Sequence, residues 1–173
     1  MKKLVHSVIW PAVAGNVLWA FLQVAADPSV VGTILWPRLA SLLLIGVYLS
    51  IDWIKTENDT QINETYWRFD VPLAASIATF AIATQIGAPW APVPLALAFA
   101  VATLGHCFGA WDTNGERSSC KARAAFAGIN ALGPIVLLVG MFFNGTLGLW
   151  STPTAVLLVV GLFLSLQNKV ARW

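Results

Sequence analysis

The stretch TILWPRLASLLLIGVYLSIDWIK, Thr33 to Lys55, decides the fold. From Leu39 to Ile51 it carries no charge, as a membrane-crossing helix requires, yet Arg38 stands directly behind the pair Trp36-Pro37. A cation held at mid-bilayer is costly, so the place of Arg38 fixes where the helix begins. Proline suits the first helical position, and a helix from Pro37 to Lys55 covers about 28 Å, close to the thickness of a bilayer core. Arg38 then snorkels at the outer interface, Trp36 joins the interfacial aromatic belt, and SVVGTIL becomes an interfacial or re-entrant approach with Asp27 as the acidic neighbour. The alternative opens the helix near Val30 and leaves Arg38 about two turns deep, facing a polar cavity between helices. The interfacial placement costs less.

Composition extends this local picture to the whole chain. Of 173 residues, 58% are hydrophobic and 10% are charged, against roughly a quarter charged in a soluble domain. An all-α integral membrane protein is expected, with residues 1–173 forming one transmembrane domain, because no polar block is long enough to bury a core of its own. The formal net charge of +2 and the dispersed Lys and Arg give no footprint for nucleic acid. Cys107 lies in an apolar run and Cys120 in a polar one, with no CxxC pair, so neither a disulfide framework nor a thiol-redox centre is expected. The start, MKKLVHSVIWPAVAGNVLWAF, has the basic and apolar parts of a signal peptide. Pro11, Asn16 and two tryptophans interrupt its apolar part, and it reads as the first membrane helix.

Six apolar runs approach the roughly 20 residues that a bilayer core needs. They cover residues 5–26, 30–54, 69–88, 91–111, 122–143 and 149–167 and predict a compact six-helix bundle with short loops. Pro89, Pro92 and Pro94 part the third run from the fourth, and NGTLG parts the last two. With the N-terminus in the cytoplasm, Lys2, Lys3, Lys55, Arg68, Arg117, Lys121, Arg123, Lys169 and Arg172 fall inside, and Arg38 alone falls outside. That partition predicts N-in, C-in topology and a bacterial inner membrane. The sequons at Asn58 and Asn63 then face the cytoplasm and are not glycosylation sites, and Asn144 lies too near the membrane to be a good one.

Polar groups inside the predicted spans are sparse. Asn16, Gln85, His106 and Asn130, with Arg38 if it is buried, are the candidates for a polar or gated path; the alternative for each is a hydrogen bond between helices. His106 is the sharpest of them, because imidazole titrates near neutral pH. Its structural alternative is packing, since Gly105 and Gly109 form a GxxxG step around it. No metal is expected: His106 and Cys107 are neighbours in sequence and not on one helix face, and His6 is the only other histidine. No cofactor motif is present. Asp52, Asp70 and Asp112 collect at predicted cytoplasmic ends, where each has a local task as well: pairing with Lys55, capping a helix, and opening a turn. In the fifth run, Ala124 and Gly128, with Ala127 and Ala131, predict a tight interface within or between protomers, and Gly133-Pro134 a kink.

Three functional expectations follow. The first is a homo-oligomeric channel or transport protein, because a small bundle with few intramembrane charges gains a polar path most easily by assembling around an axis. The second is a membrane-anchored sensor, scaffold or effector subunit, such as a stress or defence accessory, whose cytoplasmic loops 55–68 and 112–123 hold a soluble partner. The third is an enzyme acting on lipid or quinone through His106. Membrane lipid surrounds the protein in all three.

Overall fold

The computed structural model describes residues 5–26, 35–58, 72, 74–76, 78–79, 92–111, 117–143 and 146–170. These residues are helical apart from the turn at Phe142 and Phe143. A π-helical turn, Val5–Ile9, leads into α1, Trp10–Ala26. The proline at position 11 supplies no N–H to the preceding turn, which accounts for the irregular start. After α1 come α2, Leu35–Asn58, then α3, Pro92–Trp111, then α4, Arg117–Met141, and finally α5, Thr146–Val170. The described residues in 72–79 are helical as well and fall in the third predicted run. Residues 59–71, 80–91 and 112–116 lie outside the described residues.

Helices at this spacing bury a stripe. On α1 the stripe is Trp10, Val13, Val17, Ala20 and Val24; on α3 it is Leu95, Ala98, Phe99 and Ala102. These steps of three and four residues are the ones that bring side chains to a single helix face. The rest of the surface is apolar too: Leu18, Trp19, Leu43, Leu97, Leu104, Leu138, Val139, Leu157 and Leu164 all point outward. A helix that is greasy on both its packed and its outer face belongs in hydrocarbon. Three helical stretches are long and apolar enough to cross a membrane, namely Ser7–Ala26, Arg123–Met141 and Leu147–Leu166, while the apolar parts of α2 and α3, Leu35–Ile51 and Pro92–Phe108, are shorter.

Chain neighbours pack antiparallel. Gly46 on α2 faces Val17 on α1, and further along the pair Leu42 joins Ala20 and Val24. On α3 and α4, Phe99 lies against Gly133, and two turns away His106 lies against Phe126. On α4 and α5, Gly140 meets Ser151, and Phe126 stacks on Phe163. Contacts run from α1 to α2, from α2 to α5, from α5 to α4 and from α4 to α3, so the last helix of the chain sits between α2 and α4. Its Ala155, Val156 and Val159 have no exposed surface and form the middle of the core. Ser76 is also buried and donates to the Ala98 carbonyl at 2.8 Å, which seats the 72–79 residues on α3.

Candidate functional site

The polar centre of the bundle is built on Asn130, in α4. Its side chain has no exposed surface. The Tyr48 hydroxyl of α2 donates to Asn130 Oδ1 at 2.7 Å, and Asn130 Nδ2 donates to the Phe126 carbonyl one turn back at 2.9 Å. A buried carboxamide left without such partners would cost on the order of 1–3 kcal/mol, so the two bonds settle its place. The α4 sequence supplies a second feature at this point. Pro134 stands inside the helix, and in a regular ladder its N–H would be the donor to the Asn130 carbonyl. Asn130 therefore carries the cross-helix bond and sits where its own helix lacks a rung.

Aromatic rings surround this centre. The Phe99 ring of α3 meets Tyr48 edge-on, with centroids 5.4 Å apart at 73°. It also fills the notch at Gly133, where an added Cβ would lie 2.6 Å from Phe99 Cδ2. One turn along α4 from Asn130, Phe126 stacks on Phe163 at 4.4 Å and 26°, and the His106 imidazole tilts against Phe126 at 5.9 Å and 50°. His106 is half-buried in this row, with Gly105 buried beside it. The arrangement holds four helices, α2 to α5, together through one hydroxyl, one carboxamide and a run of rings.

Five further hydroxyls bond within their own helices. Ser41, Ser50, Thr103, Ser151 and Ser165 each donate to a carbonyl three or four residues earlier in their own helix. Asn16 is half-buried on α1, and Arg38 is half-buried in the first turn of the described part of α2. Gln85, Asp70 and Asp112 lie outside the described residues, as does the side chain of Asp52, although Asp52, like Gly109, belongs to a helix. The structure therefore joins Asn130 to Tyr48 and His106 to the aromatic row, and does not join Asn130 to Arg38 or Asn16. Among the described residues no three His, Cys, Asp or Glu side chains come together as metal ligands would. Cys107, exposed, and Cys120, half-buried, are free thiols.

The small residues divide between the two faces of α4. Ala124 and Gly128 are exposed, and a Cβ at Gly128 would meet nothing within 4 Å among the described residues. The tight contacts use Gly133 and Gly140 instead; at Gly140 an added Cβ would collide with Ser151. Tyr48 was the partner missing from the candidate residues, and the spacing of Asn130 to Pro134, one full helical hydrogen bond, was the signal pointing to the centre.

Comparison with family models, curated proteins and solved structures finds no match to this chain.

Proposed function

We propose that the chain is a multi-pass protein of the bacterial inner membrane, with six spans and both termini in the cytoplasm, that works as a homo-oligomeric channel or transport protein. Any polar path in it runs between protomers and not through one. The observation that supports this reading is the division of polar and small residues between inside and outside. Inside, the buried polar residues among those described, Asn130, Ser41, Ser76 and Ser151, are all hydrogen-bonded within the protomer and are spent on packing. Outside, the amide of Gln23 and the hydroxyl-bearing Thr154 and Ser165 are exposed, and Gly15, Gly128 and Gly161 have open space beside them. Polar groups at membrane depth favour protein or water over hydrocarbon, and small residues permit close helix approach, so a facing protomer suits this surface.

The test is ion flux in liposomes together with assembly. Gly128→Leu and Gly161→Leu add bulk only where the protomer has room, and at least one of them is expected to abolish flux and assembly together while leaving the protomer folded. Flux that survives both substitutions, and survives Gln23→Leu, rules the reading out. A bundle whose internal polar groups are spent on packing suits a membrane anchor equally well, with segments 55–68 and 112–123, whose residues 55–58 and 117–123 extend α2 and α4, holding a soluble partner. Replacing residues 59–68 and 112–116 by Gly/Ser spacers separates the two: it destroys the function of an anchor and spares the flux of a pore.

A further inference from the structure

We propose that α4 is a hinged helix, and that the Tyr48–Asn130 hydrogen bond is the latch that holds its first half against α2. Several observations meet at one place. Pro134 removes the rung that would tie the helix across the joint, and the missing donor is the one that would have served Asn130, the residue that carries the latch. Gly133 stands directly before the proline and has no Cβ, so the joint is both unbonded and thin.

The two halves are held by different means. Beyond the joint, Gly140 lies so close to Ser151 that no side chain fits between α4 and α5, and that half cannot shift without opening a void. Before the joint, the Tyr48 hydroxyl makes the hydrogen bond to α2 seen among the described residues, and Phe126 meets His106 and Phe163 through ring faces without hydrogen-bond direction. Phe99 touches both parts of the device: its ring fills the notch at Gly133 and meets Tyr48 edge-on. Any swing of the first half must release Tyr48 and displace Phe99. The device belongs to one protomer and stands whether or not protomers assemble.

Pulsed dipolar distance measurement on the full chain in nanodiscs tests it. On a Cys107→Ser background, native Cys120 and Ser50→Cys report between the first half of α4 and α2. A second pair, Leu43→Cys with Ile135→Cys on a background lacking both native thiols, reports from beyond the joint. Losing one buried hydrogen bond changes an opening equilibrium by roughly three- to tenfold. Tyr48→Phe is therefore expected to raise the longer-distance population of the first pair by about that factor and to leave the second pair unchanged. Asn130→Leu, which removes the latch from the other side, gives the same pattern. Adding Pro134→Ala, which restores the rung, returns the first pair to the wild-type distribution. An unchanged first pair in both latch variants overturns the proposal, and so do equal shifts in both pairs or a failure of Pro134→Ala to reverse the change.

Discussion

Tyr48→Phe keeps the ring against Phe99 and removes the hydroxyl that donates to Asn130. Polar bonds between membrane helices average about 0.6 kcal/mol, with an upper end near 1.7, because partners also exist in the unfolded state within the membrane. Asn130 is left completely buried here, so the expected loss lies at the upper end, about 1–2 kcal/mol, and reversible unfolding in mixed detergent measures it. His106→Ala leaves a void beside Phe126 without breaking that bond. Its unfolding cost should add to that of Tyr48→Phe within about 0.5 kcal/mol, since the described contacts are separate, Tyr48 with Asn130 and Phe99 and His106 with Phe126. A double-mutant cycle with a larger coupling contradicts the separation of the hydrogen-bonded centre from the aromatic row.

At the scale of helices, four glycines make opposite predictions from one chemical change. Gly133→Ala and Gly140→Ala place a methyl into Phe99 and Ser151 and should each cost about 1–3 kcal/mol through overpacking. Gly128→Ala and Gly161→Ala meet open space and should leave the protomer unchanged or stabilise it by up to about 1 kcal/mol, the difference in helix propensity. Detergent unfolding of the four variants in one host checks the ordering. The sequence marked Ala124 and Gly128, with Ala127 and Ala131, for a tight interface within or between protomers and left that choice open, because a one-dimensional pattern shows which residues permit close approach and not which face of α4 turns inward. Helix existence was legible, since apolar runs punctuated by proline leave the backbone no other way to satisfy itself in hydrocarbon. Helix ends were less so. Helix α4 opens at Arg117 and α5 continues to Val170, both beyond the apolar runs, because Arg, Ser, Lys and Gln sustain a helix outside the bilayer as readily as within it.

For the whole molecule, orientation and assembly are the quantities to fix. The charge partition predicts that a membrane-impermeant maleimide labels Cys120 in inverted vesicles and not in right-side-out ones, with Cys107→Ser removing the second thiol. Labelling from the outer side alone reverses the topology. Asn130 and Gly133-Pro134 were visible as candidates, yet their meaning depended on which helix lies opposite. Tyr48 is 82 residues away in the chain, and only the fold, which sets α2 against α5 and α5 against α4, brings its hydroxyl to Asn130. Local pattern carries no information about such a pair.

The most direct measurement is a native mass spectrum of the protein released from lipid nanodiscs, for wild type beside Gly128→Leu and Gly161→Leu. A homo-oligomer that works between protomers gives one defined multiple of the 18.6 kDa chain, and it falls to monomer in at least one of the two variants. A wild-type monomer at every protein-to-lipid ratio, or an oligomer indifferent to both substitutions, contradicts it.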